Sequence, residues 1–179
     1  MFVGRKKELD ALNSRYKSNR KEFGVLYGRR RIGKSSILNE FLKGKKGILF
    51  QAKQDNSYGN LKSFSYEVDH LLNLPDTFVF ASWQHAFKSI QEYAKNERFV
   101  LVIDEYPYIV SQDSSFSSVL QEFIDHASDN MMVILSGSDI GFLQKEIQNH
   151  ASPLYKRRTF EMEIKKFYGR KGICGDGGC

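Results

Sequence analysis

Eight consecutive residues constrain this chain more than any other feature. Gly28-Arg-Arg-Arg-Ile-Gly33-Lys34-Ser35 follows a short apolar run, Phe23 to Tyr27, and opens a segment, Lys34 to Lys43, in which Ile37, Leu38, Phe41 and Leu42 fall on one helical stripe. The pattern predicts a strand, a glycine-bracketed loop and a helix in that order. It fits G-x-x-x-x-G-K-[ST], in which the glycines let backbone N–H groups turn inward around a phosphate while the helix start adds its positive end. Chance gives this string in about 1% or fewer of chains this long. The competing reading is a glycine turn before an ordinary basic helix, and the flanking strand and helix weigh against it.

Each position then acquires a chemical role. Lys34 reaches the β and γ oxygens of a nucleotide, and Ser35 is a Mg²⁺ ligand. The candidate nucleotide-binding stretch is Gly28, Arg29, Arg30, Arg31, Ile32, Gly33, Lys34, Ser35 and Ser36. Within it the three arginine side chains are expected to point away from the phosphates, as a solvated cluster, while their backbone does the binding.

Phe99-Val-Leu-Val-Ile103 is apolar at every position and ends in Asp104-Glu105, some 70 residues after the loop. Such a run fits a central strand covered on both faces, and it delivers its terminal acids to the mouth of the sheet, where open α/β sheets bind ligands. Asp104 is the expected second Mg²⁺ ligand, and Glu105 the residue that orients or activates the attacking water. A further strand, Met131 to Leu135, ends in Ser136-Gly-Ser138. Ser138 is the candidate polar contact to the γ-phosphate or its water, with Ser136 in reserve, against the alternative of a simple hydroxyl turn. Tyr155-Lys-Arg-Arg158 offers Arg157 and Arg158 as transition-state arginines, against the alternative of a solvated basic loop.

The rest of the chain alternates helices and strands. Leu9, Leu12 and Tyr16 form one helical face between Lys6 and Lys17, Ile48 to Ala52 reads as a strand, and two amphipathic helices follow on either side of Pro75, through Leu61, Phe64, Val68 and Leu71 and through Trp83, Phe87, Ile90 and Ala94. Phe116, Leu120, Phe123 and Ile124 make another helix. Thr159 to Ile164 alternates apolar and acidic residues, the mark of an edge strand with one wet face. The fold class is α/β on a mainly parallel sheet. Residues 1–168 read as one domain, and 169–179, with five glycines and no apolar period, as a disordered tail.

Composition narrows the partners. Residues 1–50 hold 14 Lys and Arg against 4 acids, while the remaining 129 hold 13 against 17, so the net charge of +6 is concentrated at the N-terminal end. That asymmetry suits a polyanion, either nucleic acid or a phosphate-bearing ligand. The longest aliphatic stretch falls far below the roughly 20 residues of a membrane span, so no membrane partner is expected. The two cysteines, Cys174 and Cys179, cannot staple the body of the protein, which fits a reducing, cytoplasmic setting. The four histidines show no metal-ligand spacing.

With these residues in view, Phe2-Val-Gly-Arg5 before Glu8-Leu9, Tyr27 through Ser35, Asp104-Glu-Tyr-Pro107, Ser136-Gly-Ser138 and Ser152 through Thr159 together resemble the archaeal-type ATPase family, an AAA+-like branch of P-loop ATPases close to the signal-transduction (STAND) class. The likeness covers about residues 1–165. It implies a three-layer P-loop NTPase sandwich with a five-stranded parallel sheet in order 5-1-4-3-2, ATP with Mg²⁺ as ligands, and adenine held near Val3, Gly4 and Arg5. Two departures stand out. Lys156 occupies the place where the family has glycine before its arginine pair, and the family's helical lid and C-terminal nuclease-like domain have no counterpart here, so a truncated member is expected.

The leading reading is therefore an ATP-binding, ATP-hydrolysing switch domain whose output goes to a second copy of the chain, another protein or a missing domain. A GTPase is the nearest enzymatic rival, but no Asn-Lys-x-Asp string is present to read guanine. A module that grips nucleic acid through its basic N-terminal part, with nucleotide modulating the grip, is the alternative from another class. A truncated fragment that binds ATP without turnover is the third.

Overall fold

A computed structural model describes residues 4–73, 75 and 78–166. Val3 and the glycine-rich tail lie outside the described residues. The order along the chain is α1 (Lys6–Tyr16), β1 (Glu22–Tyr27), α2 (Lys34–Leu42), β2 (Gly47–Gln51), α3 (Ser57–Leu72), α4 (Trp83–Tyr93), β3 (Phe99–Asp104), α5 (Pro107–Gln112), α6 (Phe116–His126), β4 (Met131–Gly137), α7 (Ile140–Gln148) and β5 (Phe160–Glu163).

The strands form one sheet in the order β2-β3-β4-β1-β5, and every pairing is parallel. Read from the other edge this is 5-1-4-3-2, as the resemblance implies. The three central strands β1, β3 and β4 are buried along their whole length, because helices cover both faces and continuous apolar runs leave no wet side. β5 keeps Phe160 buried and Glu161 and Glu163 exposed, which is the edge behaviour its alternation predicts.

Alternate residues along each strand feed two cores. Val100, Val102, Met132, Ile134 and Leu26 pack against Leu12 of α1 and Ile37, Leu38 and Phe41 of α2. Leu101, Ile103, Val133 and Leu135 face the larger core built by α3 to α7. There Phe64, Trp83, Phe87 and Phe116 interlock with centroid separations of 4.8 to 6.0 Å, edge and tilted contacts that add about 0.5–1.5 kcal/mol each to the area they bury. Beside the edge strand, Gly24 of β1 leaves room for the Phe160 ring of β5: a Cβ there would sit 2.0 Å from the ring tip.

Two helices lie outside the sequence expectations. α5 is a six-residue turn immediately after the acid pair, with Pro107 at its start and Ile109 buried. α7 begins at an Asp139 cap, whose side chain accepts from Phe142 N, and buries Leu143 and Ile147 one turn apart. Because every strand runs the same way, the C-terminal ends of β1, β3 and β4 bring the glycine loop, Asp104-Glu105 and Ser138 to one edge of the sheet.

Candidate functional site

The loop between β1 and α2 is shaped by its glycines. Gly28 is buried, and a Cβ on it would meet the Ile164 carbonyl at 2.4 Å and the Ile32 side chain at 2.5 Å. Only glycine lets the end of β5, whose Ile164 N–H bonds Tyr27 O at 2.7 Å, close over the start of the loop. Gly33 caps α2 at φ 91°, in the left-handed region, with open space around it. Its requirement is backbone conformation, not room. No side chain caps α2, so the first amides of the helix keep their donors for an incoming anion. Arg31, at φ 60°, adds a left-handed residue inside the loop, which bends successive N–H groups inward as a phosphate nest does.

Lys34 is buried, and its Nζ donates to the loop's own carbonyls, Gly28 O at 2.8 Å and Arg29 O at 3.1 Å. Burial pulls its ammonium below the ordinary lysine value; Glu105 and Asp104 oppose that pull, and Arg30 reinforces it. Ser35 Oγ donates to Asp104 Oδ2 at 2.6 Å. This bond joins two motifs 69 residues apart through the β1-β4-β3 register. Asp104 is almost wholly buried, and its other oxygen accepts the Glu105 amide at 3.0 Å. A hydroxyl beside a buried carboxylate is a hard-oxygen donor pair that suits Mg²⁺. Among the described residues no group of three or more His, Cys, Asp or Glu could hold a metal by itself. A cation held by Ser35 and Asp104 would need further oxygens from outside the chain.

Glu105 occupies the left-handed region at φ 53°, a conformation that costs on the order of 1 kcal/mol or more in a non-glycine residue and clusters at functional sites. Its Oε2 accepts both the Ser138 amide at 3.2 Å and the Ser138 hydroxyl at 3.1 Å. Ser136 is fully buried on β4, and its hydroxyl has no partner among the described residues. Arg5, left-handed at φ 61°, pairs with Glu8 at 2.9 Å and donates to Ile32 O at 3.0 Å, which fastens the N-terminal segment to the loop. Gly4 precedes it, exposed.

Two clefts meet at the loop. One of about 330 Å³ is bounded by Arg30, Arg31, Gly33 to Ser36 and Glu105. The other, about 590 Å³, lies between Gly28 to Ile32, Ile140 and the segment after β5 from Glu163. Arg157 and Arg158 line neither. Arg157 makes a two-pronged pair with Asp125, at 2.7 and 2.9 Å, and donates to Pro153 O. Arg158 pairs with Glu161 at 2.8 Å and donates to Ile147 O at 3.2 Å.

Sequence reasoning missed two features around the acids. Tyr106, fully buried, bonds Ser117 at 2.7 Å and Glu146 at 2.9 Å, anchoring the residue after Glu105 to α6 and α7; burial, first of all, raises its phenol well above the ordinary value. Arg30 does not simply wave in solvent but reaches Tyr108. The Tyr-Pro after Asp-Glu was a visible cue to the first; no local signal marks the second.

Comparison with known proteins agrees with this geometry. The uncharacterized protein MJECL04 of Methanocaldococcus jannaschii is 29% identical over 167 residues, 92% of this chain and 36% of that protein. The uncharacterized ATP-binding protein MJ0423 of the same organism is 46% identical over 46 residues, 26% of this chain and 78% of that protein. Among solved structures, the Aeropyrum pernix ORC2 protein, determined as ADPNP and ADP complexes, superimposes with a TM-score of 0.67 at 16% identity over 91% of this chain and 48% of its own. The chain thus spans about a third of the first relative and about half of that structure. The model of the ATPase domain found predominantly in Archaea matches residues 2–171, and with nearly the whole length covered and the phosphate loop and acid pair in place, the chain belongs to that family.

Proposed function

We propose that this domain binds Mg-ATP at the C-terminal edge of its sheet and hydrolyses it to ADP and phosphate, as a switch whose two states are read by another domain, another protein or a second copy of the chain. The observation that carries the reading is the 2.6 Å bond between Ser35 and Asp104: the hydroxyl of the phosphate loop and the acid of the central strand, each predicted as a metal ligand, meet at one point. Mg²⁺ held by that pair would neutralise charge shared between the β and γ phosphates.

The chain's own groups supply the rest. Amides of Gly33 to Ser36 and the start of α2 receive the β-phosphate, and Lys34 exchanges its two loop carbonyls for phosphate oxygens, a trade that restores full charge compensation to a buried ammonium. Glu105, fixed by Ser138, orients the attacking water and takes its proton, with Ser138 beside the γ-phosphate. The larger cleft beside Ile32, Ile140 and Ile164, next to the Arg5 tether, has the apolar walls a purine base needs.

Thermal unfolding with Mg-ATP, Mg-GTP and Mg-ADP, followed by phosphate release from the same sample, tests the reading. ATP and ADP are expected to raise the melting temperature and GTP to do so weakly, with phosphate formed from ATP. A melting temperature indifferent to all three, or phosphate formation unchanged in Glu105→Gln, refutes it.

A further inference from the structure

Among the described residues, Arg30 is the one loop arginine whose side chain hydrogen-bonds to two other segments of the site. Its guanidinium donates to Tyr108 Oη on α5 at 2.9 Å and, through Nε at a longer 3.4 Å, to Ser138 Oγ on the β4-α7 turn. The same Ser138 hydroxyl donates to Glu105 Oε2 at 3.1 Å, and the Ser138 amide adds a second bond to that oxygen at 3.2 Å. A hydroxyl has one proton to give and two lone pairs to receive, so Ser138 can accept from Arg30 and donate to Glu105 at once, each bond polarising the other. Among the described residues no carboxylate lies within ion-pair distance of Arg30, in contrast to Arg157 and Arg158, which are held by Asp125 and Glu161.

We propose that Arg30 is a positioning residue: braced by Tyr108, it holds Ser138, and through Ser138 it sets the orientation of Glu105, so that the state of the phosphate loop is transmitted to the water-orienting acid. The inference rests on the reading of Glu105 given above. A rigid planar fork is what such a brace requires, because a guanidinium directs two donors in fixed directions while an ammonium does not. The backbone supports the same function from both ends. Arg31, next to the brace, and Glu105, at its target, both sit in the left-handed region, a conformation that persists in a non-glycine residue only where its surroundings hold it.

The decisive variant is Tyr108→Phe, which removes the brace and leaves every charge in place. Its affinity for a fluorescent ATP analogue is expected within about twofold of the parent, with kcat about fivefold lower; Arg30→Ala is expected to lose about 20-fold in kcat, and Arg30→Lys to recover little of it. If the path runs through Ser138, adding Arg30→Ala to Ser138→Ala costs less than about twofold more, since one relay is broken only once. Hydrogen exchange supplies a readout independent of turnover: the Ser138 amide, in nucleotide-free protein, is expected to exchange faster in Arg30→Ala than in the parent. Glu105→Gln separates the two levels of inference. If that variant is inactive while Tyr108→Phe and Arg30→Ala match the parent in kcat and in Ser138 exchange, the relay is overturned and the role of Glu105 stands. If Glu105→Gln turns over ATP like the parent, the role of Glu105 itself is overturned, and the relay with it.

Discussion

The two edges of the sheet are built from the same strands and treat their polar groups in opposite ways. At the N-terminal edge Arg98 spans three carbonyls, donating to Arg20 O at 2.6 Å, Asp129 O at 2.5 Å and Arg15 O at 3.1 Å, while its buried Nε has no partner among the described residues. Beside it the buried Glu22 carboxylate accepts from the Ser18 hydroxyl at 3.0 Å and from Thr159, with Arg15 at 3.8 Å. At the C-terminal edge Lys34 is buried on its own loop, Ser136 has no partner, and Arg5, Arg31 and Glu105 adopt left-handed backbone. Left-handed residues occur at both edges, Asn19 and Lys156 lying at the first, so the difference is in the polar groups: one edge ties Arg98 and Glu22 into the fold through several bonds each, while the other holds Lys34 on its own loop and leaves Ser136 without a partner among the described residues. That contrast supports the proposal that the first edge serves stability and the second ligand binding.

The sharpest way to break the contrast is to alter the C-terminal edge and read ligand binding. Lys34→Ala is expected to weaken ATP by about 100-fold, which removes about 2.3 of the about 2.7 kcal/mol of ligand-induced stabilisation at a fixed ATP concentration that is 100 times the parent dissociation constant. The melting shift with Mg-ATP should nearly vanish. A shift equal to the parent's would mean that the loop does not hold the phosphates. Glu105→Gln should keep the shift and lose turnover, whereas Asp104→Asn should weaken its Mg²⁺ dependence as well.

The complementary change is Arg98→Ala at the other edge. Three carbonyls lose a charged donor, for about 2–3 kcal/mol, which in a chain of this size lowers the melting temperature by about 6–10 °C. ATP affinity is expected to stay within about twofold of the parent. Loss of nucleotide binding in this variant at a temperature where it remains folded would show that the two edges are not separable.

How much of this division was readable in the sequence depends on whether a feature is local. The runs Phe23 to Tyr27, Phe99 to Ile103 and Met131 to Leu135 are apolar without interruption, so burial on both faces fixes them as central strands. The phosphate loop announces itself because its geometry needs glycine at two positions and its charge needs Lys34. α5 escaped because six residues are too few for a helical period to show. α7 escaped although Asp139 and the Leu143–Ile147 pair were there to be read, since a Ser-Gly-Ser turn and a run of polar residues masked one apolar stripe. What no local pattern contains is register. Ser35 meets Asp104, Ser138 meets Glu105 and Arg30 meets Tyr108 because β4 lies between β1 and β3. Arg157 and Arg158 read equally well as free cations until their partners Asp125 and Glu161, one of them 32 residues away, are placed.

A smaller effect is expected in the middle of the sheet, where neither edge is touched. Gly24→Ala forces the Phe160 ring from its seat on β1, beneath the Arg15 guanidinium. Moving a buried ring by this much costs about 1–2 kcal/mol. In a Phe160→Ala background the same change should cost less than about 0.5 kcal/mol, because the clash is gone. Equal costs in the two backgrounds would mean that Gly24 serves the backbone of β1 and not the packing of β5.

The smallest predicted effect bears on a pair that the sequence leaves ambiguous. Arg157 precedes β5 and Asp125 lies at the end of α6, before β4, so their bond belongs to the N-terminal, structural edge. The hydrogen bond from Arg157 is the first cause that holds the Asp125 carboxyl below the usual carboxylate value, and Asp125 in turn raises Arg157. A carboxyl depressed in the folded state stabilises the fold above its unfolded value, and that contribution is lost as the pH falls through the lowered folded value. Both side chains are part exposed, 29% and 38%, so solvent and salt screen the pair to less than about 1 kcal/mol. Denaturant unfolding should therefore show Arg157→Ala slightly less stable than the parent near neutral pH, with the gap closing as the pH falls below the ordinary carboxylate range and narrowing in about 1 M salt. If instead the gap is independent of pH while ATP turnover per molecule, rising with protein concentration in the parent, becomes flat in the variant, Arg157 acts on a neighbouring copy's phosphate, and the boundary between a structural edge and a catalytic one would have to be drawn through this pair.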